Sequence, residues 1–288
     1  MMSPVTGSTV PSERAAMPIL VITGQGGEVG TGLCQSYALS GQPVLRLDDL
    51  TESRPLSHEK VRLLHSAGRA DEGDPAGLLA ANLDYLRQVL HAAREHKVDE
   101  IIFISSVSVY GKQDCEQIAE SAPLQGPGLY GLTKLIGEKL CETTGIPTLV
   151  VRLPAVLELG KMSNFMSRTF EKLRHGEDIE IFNAEREYNN FVDIPTLAGF
   201  LRHVRIHPGY DVINLACRAE LSLASIVMLL KACLQSNSQV HCADARRHFF
   251  NLSIDKAVRD YDYQPGDVRE ILRTWCRQRL SREENPNG

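Results

Sequence analysis

Short apolar runs alternate with helix-patterned segments through the first half of this chain, and that alternation leaves few folds open. "PILVIT" from Pro18, "PVLRLD" from Pro43, "VRLLHSAG" from Val61, "EIIFISSVSVYG" from Glu100 and "TLVVRL" from Thr148 read as strands. The fourth is too apolar to leave a face in water, as in a sheet covered on both sides. Between them lie a helix from about Gly30 to near Gly41, the segment "DPAGLLAANLDYLRQVLHAAREH" with apolar residues at helical spacing, and "YGLTKLIGEKLCETTG". This order predicts an α/β fold, a doubly wound parallel sheet over residues 18–153 with helices on both faces.

After Pro154 the pattern loosens. "MSNFMSRTFEKLRHGE" reads as a helix, "NNFVDIPTLAGFLRHV" as the approach to another with Pro195 in its first turn, and "DVINLA" as a return strand. "SLASIVMLLKACLQ" is an amphipathic helix opened by a serine cap, and "DVREILRTWCRQRL" is the last helix. Residues 154–288 are therefore expected to form mainly a small substrate-binding cap, with elements near 189–216 returning to the main sheet. Residues 1–17 are polar, without an apolar core, and predict a disordered extension rather than a signal peptide.

Net charge −5 and a pI near 6.0 supply no basic field for nucleic acid. No apolar run approaches the roughly 18 residues that span a bilayer, so no membrane partner is expected. Seven cysteines, an odd number with no C-x-x-C, argue for a reducing compartment, with a cytoplasmic location expected, and against a zinc site. No metal is predicted.

"TGQGGEVG", Thr23 to Gly30, falls where a strand gives way to a helix, with Gly24, Gly27 and Gly30 in G-x-x-G-x-x-G spacing. Such glycines allow a tight turn and aim a helix N-terminus at a pyrophosphate. Eighteen residues beyond Gly30, Asp48 is expected to end the second strand. There a carboxylate accepts hydrogen bonds from the adenosine ribose and repels a 2′-phosphate, so NAD is favoured over NADP. Arg46 and Arg54 lie near enough to soften that preference.

Ser106 lies near the carboxyl end of its strand, the edge where ligands of open α/β sheets bind, and the Tyr130 helix begins about twenty residues later. In "YGLTK", Tyr130 and Lys134 are one helical turn apart, on the same face. A hydroxyl and a phenol converging on one substrate oxygen is what hydride transfer needs, because a proton must leave or reach that oxygen as hydride moves at its carbon. A free phenol with a pKa near 10 is a poor base at neutral pH. Lys134 and an oxidised nicotinamide are expected to lower it, and Ser106 to orient the substrate.

Taken in order, T-G-x-x-G-x-x-G, Asp48, "HSAG", Asn82, "SSVSVYG", "YGLTK" and Arg152 resemble the extended short-chain dehydrogenase/reductase family, in its NAD-dependent nucleotide-sugar epimerase/dehydratase branch. The resemblance covers residues 18 to 275 and implies a Rossmann-like fold with a catalytic Ser106–Tyr130–Lys134 triad, Lys134 also binding the nicotinamide ribose. It implies cofactor contacts from Gly24, Gly27, Glu28, Val29, Gly30, Asp48, Ser66, Ala67, Gly68, Asn82, Ser105, Tyr130, Lys134 and Pro154. Substrate contacts are expected from Ser106, Ser108, Tyr130 and Arg186, and a homodimer through the Asn82 and Tyr130 helices. The implied activity is NAD-dependent oxidation or epimerisation at a secondary alcohol or ketone of a sugar, in the main a nucleotide sugar. A keto-sugar reductase consuming NAD(P)H and a catalytically silent dinucleotide-binding regulator or scaffold are the alternatives.

Three departures qualify this. Only the dozen residues "DLTESRPLSHEK" separate Asp48 from the next strand, where the family inserts another strand and helix. Stretched, they span about 40 Å, enough to run back over the sheet, so the outer edge strand is expected to be missing. Ala155 stands where the family places a substrate-binding Asn, and Asn189 where an Arg is common, with Arg186 as a substitute. Val107 and Ser108 follow Ser106 where the related dehydratases carry Asp-Glu, which disfavours water elimination.

Overall fold

The computed structural model describes residues 17–49, 60–113, 115–159, 164–244, 247–248 and 250–284. Six parallel strands form the central sheet: β1 (Ile19–Thr23), β2 (Val44–Leu45), β3 (Val61–His65), β4 (Glu100–Ser106), β5 (Thr148–Leu153) and β6 (Tyr210–Asn214). They lie in the order β6-β5-β4-β3-β1-β2. The chain reverses its direction of travel between β1 and β3, and that switch opens a crevice at the carboxyl edge of the sheet.

Period-two alternation sends the side chains of each strand to two separate cores. Leu20, Ile22, Leu64, Ile102, Leu149 and Val151 face helix α1 (Glu28–Leu39) and the helix Ile194–His203. Val21, Leu63, Ile101, Phe103 and Val150 face the other way, onto Leu86, Val89, Leu90 and Ala93 of helix α2 (75–95). A third helix, α3 (Leu129–Glu142), lies beside α2 with Cys141 in that second core. Helix α2 begins with Pro75 behind an Asp74 cap and contains a π turn over Ala80–Asp84.

β2 is shorter than its apolar run predicts. The Asp49 carboxylate accepts the Arg46 amide at 2.7 Å and the Asp49 amide donates to the Arg46 carbonyl, so a turn ends the strand at Leu45. Asp48 therefore sits in an exposed turn rather than on a strand end. Among the described residues no strand lies outside β2. The expectation of a missing edge strand falls on 50–59, and that of a disordered leader on 1–16, both outside the described residues.

Outside the main sheet the chain forms three small parallel pairs. Ala155–Leu157 runs beside Phe191–Asp193, Ile179–Phe182 beside Val240–Ala243, and Gln117–Ile118 beside Asn251–Leu252. The helices Phe165–Arg174, Leu223–Cys233 and Val268–Glu284 enclose a core of their own around Phe170, Ile226 and Trp275. β6 returns to the main sheet beside β5. Asn189 is 2 % exposed and acts as a strand partner: its amide nitrogen donates to the Leu252 carbonyl at 2.8 Å and its amide oxygen accepts the Leu252 amide at 2.9 Å. No helix among the described residues is long and apolar enough to cross a membrane.

Candidate active site

The glycine loop is shaped by close backbone approach. Gly24 has a φ of 83°, and a Cβ there would lie 2.5 Å from the Ala67 amide nitrogen, so only glycine lets the loops after β1 and β3 touch. Gly30, buried in the first turn of α1, packs on the Gly24 carbonyl. A Cβ at Gly27 would meet only the Gly24 carbonyl at 3.4 Å, and one at Gly26 nothing within 4 Å. α1 starts there with no side-chain cap, so no capping side chain takes the first-turn amides that a pyrophosphate requires. These residues fit a dinucleotide.

The loop after β3 forms the opposite wall. Ser66 donates to the Thr23 carbonyl at 2.8 Å, and below it Thr23 and His65 share a 2.8 Å hydrogen bond. Gly68 lies against both Asn82 and Lys134, each of which a Cβ would approach to 3.0 Å. Asn82 accepts the Arg69 amide at 2.7 Å and donates to the Arg69 carbonyl and to Thr133 on α3. Its side chain thus holds this wall to α2 and α3. Ser105 is similarly committed, donating to Glu138 at 2.5 Å.

β4 ends at Ser106, where the chain enters a tight turn, Val107–Tyr110. The Ser106 hydroxyl caps that turn, accepting the Ser108 amide at 3.1 Å and donating to the Ser108 hydroxyl. Gly131 lets α3 pack on the turn, because any side chain there would strike the Ser108 carbonyl. That contact brings Tyr130 near Ser106, close enough for the Ser106 hydroxyl to act on the ionisation of the phenol. The Tyr130 amide, in the open first turn of α3, donates to Glu72 at 2.7 Å.

Burial raises the Tyr130 phenol above its usual range, and the neighbouring Ser106 hydroxyl opposes that rise. Lys134 is 5 % exposed, and its ammonium donates to the Ile104 carbonyl at 3.0 Å and the Ala67 carbonyl at 3.5 Å, 5.2 Å from the centre of the Phe103 ring. Burial lowers it to about 8, with the Glu138 charge acting the other way. His65 stacks on the Phe103 ring, with centroids 5.6 Å apart and nearly parallel. Desolvation, with the Lys134 charge adding to it, holds His65 near 3, so the imidazole is neutral and Lys134 has no second cation beside it.

Under Ser105 and Lys134, Glu138 binds Arg152 through two hydrogen bonds and so joins α3 to β5. Glu138 and Glu72 escape a reading by motif, and His65 lies inside "HSAG" without a role assigned to it; Glu138 sits four residues after Lys134 on the same helical face, which is the signal that finds it. Pro154 follows β5 directly. Arg186 fixes its loop through its amide and carbonyl, to Asn183 and Leu223. It does not line the crevice of about 530 Å³ in the C-terminal part, whose cations are Arg168, Lys172 and Arg247.

Residues 62–216 match the NAD dependent epimerase/dehydratase family. The chain is 26 % identical over 172 residues to an uncharacterized UDP-glucose epimerase, YtcB, of Bacillus subtilis, 57 % of this chain and 54 % of that protein, so it spans about half that relative's length. It is 25 % identical to GDP-L-fucose synthase 1 of Arabidopsis thaliana over 268 residues, 80 % of this chain and 82 % of the other. The UDP-glucuronic acid 4-epimerase of Bacillus cereus, solved with NAD, superposes with a TM-score of 0.74 at 20 % identity, covering 93 % of this chain and 98 % of that one, and so shares its fold. The matched segment contains the β3 loop, Asn82, Ser106, Tyr130, Lys134 and Arg152 described above, and the chain belongs to the NAD-dependent epimerase/dehydratase family of extended short-chain dehydrogenases/reductases, with NAD as its cofactor.

Proposed function

We propose that the protein oxidises and re-reduces, or reduces, a secondary alcohol or ketone of a nucleotide-linked sugar, with Tyr130 as acid and base. The observation that carries this reading is the placement of the Tyr130 phenol beside Ser106 at the carboxyl edge of β4, with buried Lys134 one turn along α3. NAD, when bound, supplies the hydride acceptor and donor. Ser106 holds the substrate oxygen against the phenol, and Tyr130 removes that oxygen's proton during oxidation and returns it on reduction. The Tyr130 phenol, raised by burial, would be lowered by the positive charge that an oxidised nicotinamide would supply. Val107 and Ser108 supply no acid–base pair for eliminating water, which favours epimerisation or ketone reduction.

A nucleotide diphosphate is favoured by the crevice in the C-terminal part. Arg168, Lys172 and Arg247 supply cations there, and Phe165, Tyr188 and Phe250 supply rings for a base. These residues take the role expected of Arg186. A homodimer is supported by Leu79 and Tyr85 on α2 and Leu132 and Ile136 on α3, all exposed large apolar side chains.

The test is to extract and identify the cofactor of the purified protein, then incubate the protein with nucleotide sugars and their 4-keto derivatives. Retained NAD with interconversion of epimers supports an epimerase, and stoichiometric NAD(P)H consumption supports a reductase. Turnover of every substrate unchanged in Tyr130→Phe would sink the mechanism.

A further inference from the structure

A groove of about 430 Å³ runs along the outer side of α1, between it and the helix Val268–Glu284, from Gly26 and Glu28 to Arg282. Its volume is that of a small-molecule site. Glu158 reaches into it from the segment after Ala155–Leu157. This side chain is 6 % exposed, and its Oε1 is buried without a hydrogen-bond partner. The Oδ1 of Asp193, on the same wall, is also buried and without a partner. Trp275 fixes the arrangement by donating its indole N–H to the Glu158 carbonyl at 2.8 Å.

Two unpartnered carboxyl oxygens on one wall are costly, because each has given up water and gained nothing. Glu28 adds a third carboxyl at the inner end, close enough that its charge acts on Glu158, while Arg282, exposed at the outer end, is the basic side chain among the lining residues. No cluster of metal-ligating side chains is present among the described residues. The remaining walls are apolar, from Ile194, Ile271 and Trp275. We propose that this groove is a second ligand site, which takes a small organic cation whose ammonium or amidinium donates to Glu158 while its apolar body lies against Trp275 and Ile271.

Burial and the Glu28 charge hold Glu158 at about 8, so near neutral pH the empty site keeps a proton there. A cation stabilises the carboxylate and expels that proton. Binding then strengthens as pH rises between about 6 and 8 and levels off above.

The test titrates the full chain with 2-phenylethylamine, its neutral counterpart 2-phenylethanol and the anion 3-phenylpropanoate. The readouts are calorimetry in buffers of different ionisation enthalpy and the fluorescence of Trp275, the chain's single tryptophan. The expected result is saturable amine binding with proton release, about tenfold or more tighter than the alcohol, and no binding of the acid. Glu158→Gln should abolish the proton release and weaken the amine about tenfold. Gln278→Tyr, at an exposed position on the groove wall, should fold normally and block it. Equal binding of the alcohol, tighter binding of the acid, or unchanged amine affinity in both variants would overturn the proposal.

Discussion

Glu138 holds the Arg152 guanidinium by two hydrogen bonds of 2.9 and 2.7 Å, and both side chains are almost fully buried between α3 and β5. The same carboxylate accepts the Ser105 hydroxyl, so one group ties the helix of Tyr130 and Lys134 to the strand of Ser106. The partnership holds both charges out of water at close range, and Arg152 is raised well above its usual range, by its hydrogen bond with Glu138 and the attached charge acting against desolvation.

Removing one partner leaves the other charge buried and alone. Glu138→Ala is expected to cost about 3–5 kcal/mol by urea denaturation, whereas Glu138→Leu with Arg152→Met should recover most of it. Recovery of stability without recovery of turnover would show that the pair also sets the register of α3 against β4.

Tyr130→Phe keeps the ring and removes the proton carrier. Turnover should fall by about 10²–10⁴-fold while NAD binding is retained, measured by single-turnover kinetics and by cofactor content. Ser106→Ala should cost less, because it removes an orienting contact and leaves the phenol.

Two buried groups set the pH dependence of stability in opposite directions. His65 is lowered from 6.5 to about 3, so the folded state refuses a proton that the unfolded chain takes, and stability falls as pH drops from 6.5 toward 3. Glu158 is raised from 4.5 to about 8, so the folded state keeps a proton that the unfolded chain has lost, and stability falls as pH rises from 4.5 toward 8. Each contributes about 1.4 kcal/mol per pH unit inside its window, and they cancel where the windows overlap. Maximum stability is expected between about pH 4.5 and 6.5. Glu158→Gln should flatten the decline above it, read from urea midpoints across the pH range.

Leu132 and Ile136 are one turn apart on the exposed face of α3. Leu132→Glu with Ile136→Glu is expected to convert a dimer to a monomer in sedimentation velocity runs, without lowering the melting temperature of the monomer.

The doubly wound sheet was legible because β1, β3, β4 and β5 are apolar runs bounded by turn residues, and their burial follows the same pattern. Ser106, Tyr130 and Lys134 were legible for a different reason: their spacing is local to a strand end and a single helical turn. Asp48 was misplaced because a turn made by the Asp49 side chain competes with the strand, and a two-residue strand carries almost no periodicity. Ser105 and Asn82 were read as cofactor contacts; their side chains also bind Glu138, Arg69 and Thr133, partnerships between residues 13 to 51 positions apart that no local pattern encodes. Asn189 stood out as a missing arginine, and its burial against Leu252 accounts for that choice of residue.

The π turn in α2 follows from arithmetic in the sequence. Leu78, Asn82, Leu86 and Leu90 are all buried and each is four positions after the last. On an α-helix of 3.6 residues per turn such a series drifts about 40° a step, or about 120° over its length, close to the rotation of one residue. A single wide turn absorbs that drift and keeps Asn82 aimed at Arg69 and Thr133 while the leucines stay in the core. Helix α2 therefore carries one residue more than a regular helix needs, and deleting Ala81 would straighten the helix while swinging the cofactor wall out of phase with it.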